Sequence, residues 1–169
     1  MPRIVVIGNS ASGKSTLARH LADRRALPLF DLDFLLWEPA RPTPLANYAR
    51  QHAEVIAGER WVIDGLGHQS SIDERLVRCT EIILIDMPLW VHFWLAAERH
   101  DAWVRGLNTA PPIGPGGIPP IKELFETMWQ VDQTWLPHIR RMCAKAELQG
   151  KAVTRLCSVD EIDTFVRSL

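Results

Sequence analysis

A glycine-rich segment near the start of the chain carries the residues with the clearest chemical meaning. Gly8, Gly13, Lys14 and Ser15 are spaced as G-x-x-x-x-G-K-S. Glycines let successive backbone N–H groups of such a loop face phosphate oxygens, and the lysine adds positive charge there. The serine hydroxyl is placed to bind Mg²⁺. The spacing predicts a nucleoside triphosphate site formed by Gly8, Asn9, Ser10, Ala11, Ser12, Gly13, Lys14, Ser15 and Thr16.

The residues on either side of this loop support the same interpretation. An apolar run at residues 4–7 precedes the loop and is typical of a buried strand, while Leu17, Ala18 and Leu21 follow it at helical spacing. The motif is specific only between a strand and a helix, and both flanks are present. The helix would also direct the positive end of its dipole toward the bound phosphates.

Acidic residues stand where further strands are predicted to end. Asp31 and Asp33 follow the second predicted strand, and Asp64 ends the third. If the second strand continues to residue 33, both of its carboxylates face the same side. We expect Asp31 or Asp64, with Ser15, to serve Mg²⁺, and Asp33 to orient or deprotonate an acceptor hydroxyl. The alternative is that these acids only cap helices or begin turns.

Two arginines lie near the end of a helix predicted from residue 88 to about 105. Arg99 and Arg105 precede a Gly/Pro-rich segment at residues 106–120, and a long irregular segment in a compact domain is typical of a lid. Closure of this lid would bring both guanidinium groups onto a transferring phosphoryl group. We therefore group Arg99 and Arg105 with Lys14 and Asp33 as catalytic candidates. The alternative is a simple interaction of arginine with the helix dipole.

Short apolar strands alternate with helices along the whole chain, which predicts an α/β fold with a parallel sheet covered on both faces. Ligands of such sheets gather at the carboxyl ends of the strands. The expected strands lie at residues 27–31, 61–64, 81–86 and 152–155 after the first, and a long helix is expected over 121–148, bent at Pro137. Trp90, Phe93, Trp94 and Ala97 recur at helical spacing, which favours packing in the core.

Composition limits the class of protein. The chain has 169 residues, a net charge of −1 and no long basic run, so we expect one domain, 1–169, and no nucleic-acid partner. Three cysteines without metal-ligand spacing indicate reduced thiols. No apolar stretch has the length of a membrane helix, and a strand begins almost at once, leaving no room for a signal peptide. We therefore expect a cytoplasmic protein, either a monomer or a homodimer.

Several motifs together resemble the small P-loop kinases related to adenylate kinase, and among them the topology modulation protein-like family. The residues that carry the likeness are the glycine-rich loop, Phe30-Asp31-Leu32-Asp33 leading to Trp37, Trp61-Val62-Ile63-Asp64-Gly65 with Arg75, and Asp86-Met87-Pro88 with Trp94 and Arg99. The resemblance implies a three-layer P-loop NTPase of the nucleoside monophosphate kinase type, with five parallel strands ordered 2-3-1-4-5. It also implies ATP and Mg²⁺ as cofactors, an acceptor-binding insertion at about 34–60 and a lid at about 106–120.

The acceptor is left open by these motifs. Phe30-Asp31-Leu32-Asp33 with Gly65-Leu66-Gly67 also looks like the shikimate kinase pattern, in which the first aspartate lies near Mg²⁺ and the second contacts the acceptor hydroxyl. The segment 106–120 contains no arginine or lysine, unlike the lid of adenylate kinases. Our hypothesis is an ATP-dependent phosphotransferase with a small-molecule or nucleotide acceptor. The alternative is a nucleotide-binding regulatory or adaptor protein without kinase turnover.

Overall fold

A five-stranded parallel sheet forms the centre of the structure. The computed structural model describes residues 1–38, 41–108 and 117–169. Two further short strands, β3 (Trp37–Glu38) and β4 (Arg41–Pro42), pair as an antiparallel hairpin. The strands of the main sheet run in the spatial order β2-β5-β1-β6-β7, which is 2-3-1-4-5 when its strands alone are counted, as the resemblance implies. Their bounds are β1 (Arg3–Gly8), β2 (Leu29–Asp31), β5 (Trp61–Asp64), β6 (Glu81–Ile85) and β7 (Ala152–Leu156).

Helices cover both faces of this sheet, as the alternation of strands and helices predicts. Successive residues of β1 point to opposite faces, so Val5 and Ile7 join one apolar cluster while Ile4 and Val6 join the other. The helices are α1 (Lys14–Arg25), α2 (Leu32–Leu35), α3 (Leu45–Ala57), α4 (Ile72–Arg78), α5 (Leu89–Val104), α6 (Ile121–Gln130), α7 (Leu136–Leu148) and α8 (Val159–Ser168).

The second strand ends two residues earlier than the D-L-D interpretation requires. β2 stops at Asp31, whose carboxylate accepts a hydrogen bond from the backbone N–H of Asp33 at 2.9 Å and caps α2. The strand therefore ends at residue 31, as expected, and the condition under which both carboxylates would face the same side is not met. A carboxylate at an N-cap satisfies a backbone N–H that the first helical turn leaves unpaired, which favours helix over strand here. The β3–β4 hairpin that follows was not predicted.

The long helix predicted over 121–148 is divided. α6 ends at Gln130, a π-helical turn spans Val131–Trp135, and α7 begins at Leu136 with Pro137 in its first turn. Proline has no N–H to donate, so it is tolerated at a helix start and interrupts the hydrogen-bond ladder elsewhere. The wider turn before it accommodates that interruption.

The tryptophans of α5 are not core residues. Trp90 is 67% exposed and Trp94 is 57% exposed, so the prediction of core packing is wrong for both. The buried residues of this helix are His92 and Ala96, while Phe93 packs on Phe125 of α6 with ring centroids 4.7 Å apart. The prediction of a helix was correct. The buried face is formed by His92 and Ala96, each two positions after a tryptophan that was predicted to be buried.

The cysteines show no disulfide, and Cys79, Cys143 and Cys157 are free thiols. Within the ranges that the structure describes, no helix combines the length and apolar character needed to cross a membrane.

Candidate functional site

A cavity of about 1280 Å³ opens at the carboxyl edge of the sheet. Its wall includes the loop residues 10–16 together with Asp31, Asp33 and Arg99, so it brings together most of the residues selected from the sequence. Three sheet strands deliver these groups to one place, because parallel neighbours end at the same edge. The pairing of β2 with β5 sets Asp31 directly beside Asp64.

The backbone of the loop has the form of an anion cradle. Gly8 has φ of +155°, and a Cβ there would lie 2.4 Å from the carbonyl oxygen of Ile85, so only glycine fits. Ala11 and Gly13 adopt left-handed conformations, with φ of 54° and 78°, and alternation of this kind turns successive N–H groups toward a common concavity. α1 begins at Lys14 without a side-chain cap, which leaves its first N–H groups for an anion.

Lys14 lies folded against this cradle. Its Nζ donates hydrogen bonds to the carbonyl of Asn9 at 2.6 Å and to the hydroxyl of Ser12 at 3.3 Å. Burial lowers the pKa of Lys14, while the nearby carboxylates of Asp64 and Asp33 oppose that change. The ammonium group is therefore held at the loop by acceptors that a bound phosphate could replace.

Asp64 and Ser15 form the pair best suited to a magnesium ion. Asp64 is 2% exposed, and its Oδ1 has no hydrogen-bond partner in the part of the chain that the structure describes. Burial raises the pKa of Asp64, and the charge of Lys14 and the hydroxyl of Ser15 act against that rise. An unpartnered buried carboxylate is costly unless another group satisfies it. A cation that binds there would supply the missing partner.

Asp31 lies at the edge of the same group. Burial raises its pKa to about 6, helped by the charges of Asp64 and Asp33, while the hydrogen bond from the Asp33 N–H acts in the opposite direction. Among the described residues, no group of three or more His, Cys, Asp or Glu side chains could hold a metal ion alone. Mg²⁺ usually takes one or two carboxylates and completes its shell with water and substrate phosphates. The residues present therefore fit a metal that arrives with a nucleotide.

Asp33 and Arg99 both line the cavity, close enough to each other and to Lys14 for their charges to interact. The Asp33 carboxylate lies beside Gly65, 3.4 Å from the position that a Cβ would take there. The Arg99 guanidinium stacks over the ring of Trp103 at 4.9 Å, and its pKa is lowered by burial and raised by Asp33. Arg99 thus presents a partly desolvated cation next to a carboxylate, as charge stabilisation during group transfer requires.

Arg105 is not brought to this site. Its side chain is 65% exposed and pairs with Asp101 one helical turn earlier, with the Arg105 Nε 3.0 Å from the carboxylate. It does not line the cavity. Most of the predicted lid, residues 109–116, lies outside the described residues. Pro119, near the end of the predicted lid, contacts α5: its carbonyl oxygen lies 3.1 Å from the Nε2 of His100.

Asn9, selected from the sequence only as a loop residue, and His92, which was not selected, anchor the loop to the helices on either side of the predicted lid. The Asn9 Nδ2 donates to the carbonyl of Met128 on α6 at 2.8 Å, and the His92 Nδ1 donates to the carbonyl of Ser10 at 3.0 Å. Both Asn9 and His92 are fully buried. Their partners are 119 and 82 residues away along the chain, so no local pattern in the sequence could have indicated them.

Arg75, part of the resemblance, supports the turn that follows β5. It is fully buried and donates to the hydroxyl of Ser71 and to the carbonyls of Gly65 and Leu66. Burial lowers its pKa to about 10. Tyr48 on α3 completes the support through a 2.9 Å hydrogen bond with Ser71. The guanidinium is thus used to position backbone beside Asp33 and does not line the cavity.

Aromatic side chains form another part of the cavity wall. Phe34 and Trp37 follow Asp33 on α2 and β3, and Trp103 comes from the end of α5. Phe34 is 66% exposed and Trp37 is 38% exposed. Trp37, which stands in the family motif, therefore reaches the cavity, whereas Phe34 and Trp103 had no sequence signal.

No family model matches the sequence, and a search of curated proteins finds no match. Solved structures match nearly the whole chain. A shikimate kinase from Acinetobacter baumannii in complex with shikimate has a TM-score of 0.63 and 14% identity, with 99% of this chain and 90% of that chain covered. A gluconokinase from Sinorhizobium meliloti 1021 has a TM-score of 0.54 and 16% identity, with coverage of 98% and 87%. A shikimate kinase from Aquifex aeolicus has a TM-score of 0.54 and 19% identity, with coverage of 98% and 92%. At these identities the likeness establishes the fold, which is the α/β fold of the P-loop kinases.

Proposed function

We propose that the protein is an ATP- and Mg²⁺-dependent phosphotransferase that acts on a small-molecule or nucleotide acceptor. The observation that carries this proposal is the single cavity in which the phosphate cradle and Lys14 face Asp33 and Arg99. Two kinds of structural relatives, shikimate kinase and gluconokinase, are named as small-molecule kinases, which supports the same reaction class. The resemblance to the topology modulation protein-like family stays part of the proposal.

The proposed chemistry assigns one task to each group. The loop N–H groups and Lys14 bind the β- and γ-phosphates, and Ser15 with Asp64 would hold Mg²⁺, which neutralises phosphate charge when bound. Asp33 accepts the proton of the acceptor hydroxyl as the oxygen bonds to the γ-phosphorus. The bond from that phosphorus to the bridging oxygen breaks, and ADP leaves with the electron pair. Arg99 stabilises the charge that spreads over the transferring group.

The assignments for the outer parts of the site belong to this proposal too. Residues 34–60 would bind the acceptor, and residues 106–120 would close over it. Arg105 would need to leave Asp101 and move with that segment, so its catalytic role stays a prediction. Asp31 would serve the water shell of the metal. The cytoplasmic location and the choice between monomer and homodimer also stay predictions.

ADP release tests the proposal. Mg²⁺-ATP is offered with a panel of nucleosides, nucleoside monophosphates and polyhydroxy compounds, and Lys14→Ala is the blank. Lys122→Ala is the matched control, because Lys122 is exposed and pairs with Glu126, at 3.7 Å, on the surface of α6. We expect an acceptor to raise turnover in the wild type and in Lys122→Ala but not in Lys14→Ala. Tight ATP binding with no acceptor-dependent turnover would reject the kinase and favour a regulatory nucleotide-binding protein.

A further inference from the structure

Several arginines on the elements around the acceptor side of the cavity bind partners outside the cavity. On α4, Arg75 holds the turn after β5, and Arg78 donates to the carbonyls of Ile56 and Ala57. Arg60 donates to the carbonyl of Ala26, at 3.1 Å. The hairpin and the end of α5 carry exposed ion pairs, Arg41 with Glu38 and Arg105 with Asp101. None of these five arginines lines the described cavity.

The cations that do line it are already assigned. Lys14 belongs to the phosphate cradle, and the charge of Arg19 acts on Asp31 and Asp64, the carboxylates at the metal side. Arg99 lies against Trp103 and faces Asp33. Residues 39–40 and 106–120 contain no arginine or lysine in the sequence, so those segments add no cation. Of the cations in the described wall, Arg99 is therefore the one that remains on the acceptor side, and the proposed transfer already uses it on the transferring group.

This end of the cavity has no surplus of positive charge. Asp33 lines the wall with Arg99, Glu38 pairs with Arg41, and Asp31 lies at the metal side. Proteins bind phosphate and carboxylate groups tightly through bidentate arginine or several charge-assisted hydrogen bonds. Among the described residues, a second anion on the acceptor would find only Arg99 as such a partner, and the transferring group needs Arg99. The charge distribution consequently disfavours an acceptor that carries its own phosphate or carboxylate.

Aromatic side chains form part of the remaining wall. Phe34, Trp37 and Trp103 line the cavity near Asp33, and the first two present much of their surface to solvent. Aromatic faces bind flat or weakly polar ring faces by stacking and by burial of apolar surface. The Asp33 carboxylate supplies the proton acceptor that a reacting hydroxyl needs. The surface thus combines a ring platform with a hydroxyl acceptor site.

We infer that the acceptor is an uncharged ring compound that carries a hydroxyl group, of the kind found in nucleosides and neutral sugars. This inference rests on the proposed function and narrows its acceptor. The transfer balances as written above: the hydroxyl oxygen bonds to phosphorus, its proton passes to Asp33, and ADP leaves. An uncharged acceptor would distinguish this chain from a kinase whose acceptor is an acid.

Matched pairs of acceptors test the inference. Each pair consists of an uncharged compound and its acid: adenosine with AMP, glucose with gluconate, and a neutral cyclic polyol with its carboxylic acid. We expect kcat/KM for the preferred neutral compound to exceed that for its acid at least tenfold. Trp37→Ala is expected to raise KM for that compound about tenfold with a smaller change in kcat, and Trp37→Phe to restore it. Trp90→Ala is the control, because Trp90 is exposed on α5 and does not line the cavity.

The outcomes separate this inference from the proposed function. Turnover that favours the acids would overturn the inference while leaving the kinase in place. If no compound turns over, the kinase proposal fails, and calorimetric binding of the same pairs with Mg²⁺ and a non-hydrolysable ATP analogue decides the inference. Tighter binding of the neutral members, lost in Trp37→Ala, would support it. Equal or absent binding of both members would overturn it. Whether the ring is a nucleobase or a sugar follows from which neutral compound is preferred.

Discussion

Gly8 and Gly13 belong to the same motif but meet different physical constraints. At Gly8 the backbone has φ of +155° and an added Cβ would lie 2.4 Å from a backbone oxygen, whereas at Gly13 φ is +78° and no atom lies within 4 Å of that position. We expect Gly8→Ala to lower the free energy of unfolding by about 3 kcal/mol, from backbone strain and overpacking together. Gly13→Ala should cost about 1–2 kcal/mol, because only the left-handed conformation is penalised. Urea unfolding of both variants measures the difference, and equal losses would contradict it.

Asp31 gives a pH dependence whose direction can be stated. Its pKa rises from 3.8 to about 6 on folding, so between these pH values the folded chain binds more protons than the unfolded chain. Stability therefore falls as pH rises through this window and then levels off. Asp31→Asn keeps an oxygen for the Asp33 N–H but removes the titration. Relative to the wild type, we expect it to gain about 1 kcal/mol between pH 4 and 7, an amount that allows for solvent screening. Thermal unfolding curves with a constant separation over this range would contradict the expectation.

At the residue scale, the sequence predicts what short-range spacing determines. The loop residues from Gly8 to Thr16 act through contiguous backbone, and Asp33 and Arg99 follow from their places at element ends. Asn9 and His92 needed partners more than 80 residues away, and Arg105 found a nearer partner in Asp101. Spacing cannot show which of two available partners a flexible surface arginine will choose.

Helices α5 and α6 each reach the glycine-rich loop through a side-chain hydrogen bond, buried for Asn9 and partly buried for His92, so the loop and the arms of the predicted lid are joined. Asn9→Ala removes the bond to Met128 and the bond that its Oδ1 accepts from the Ser10 N–H at 2.8 Å. We expect a loss of about 1–3 kcal/mol in unfolding free energy, because a buried carbonyl loses its side-chain partner. ATP affinity should fall as well, since the loop is no longer held in its binding conformation.

Asn47→Ala is the matched control for that substitution. Asn47 lies on α3, and its hydrogen bond to Glu38 is exposed and 3.4 Å long. Its loss should change stability by less than about 0.5 kcal/mol. Calorimetric titration with ATP and urea unfolding measure both variants. If Asn9→Ala matches Asn47→Ala in both, the two arms are not coupled to the loop through this side chain.

At the element scale, the sheet strands were predictable chiefly because β1, β5 and β6 are runs of buried, mostly apolar residues. The short elements were not predictable, because each depends on a choice between two local conformations of similar stability. Asp31 could continue a strand or cap a helix, and the cap on Asp33 decides for α2. Pro137 was expected to bend a helix, and it begins a new one after a π-helical turn. Trp90 and Trp94 have helical spacing, yet tertiary packing determines which stripe of α5 is buried. Phe93 contacts Phe125 of α6, and Val91 and Leu95 pack against an apolar cluster of the sheet.

At the scale of the whole molecule, sheet order explains why acidic residues lie beside the glycine-rich loop of the candidate site. β5 lies between β2 and β1, so Asp64 stands between Asp31 and the loop that carries Lys14. The register places Asp31 and Asp64 side by side, and each carboxylate disfavours ionisation of the other. A divalent cation and a polyphosphate would relieve this repulsion together. The sequence predicted the three components, but their mutual distances required the sheet.

We expect His52 to cause much of the loss in unfolding free energy at acid pH. This residue of α3 is 1% exposed, and its Nε2 has no hydrogen-bond partner in the described chain. Burial, with the charge of Arg75, lowers its pKa from 6.5 to about 4. Glu74 lies 3.6 Å from the Nδ1 and favours the protonated ring, but its carboxylate is 62% exposed, so desolvation dominates. The unfolded chain therefore binds the extra proton first, and stability is lost as pH falls from about 6.5 toward 4.

His52→Gln should remove that loss, which is up to about 3 kcal/mol for a shift of this size. His20→Gln is the control, because His20 is exposed on α1. The effect runs opposite to that of Asp31, where stability falls as pH rises, so the wild-type curve shows only their difference. Unfolding of each variant across pH 4 to 7 separates them: the curve of His52→Gln should flatten on the acid side, while that of His20→Gln should follow the wild type. A His52→Gln curve parallel to the wild type would mean that the ring accepts its proton inside the folded protein, with Glu74 as its partner.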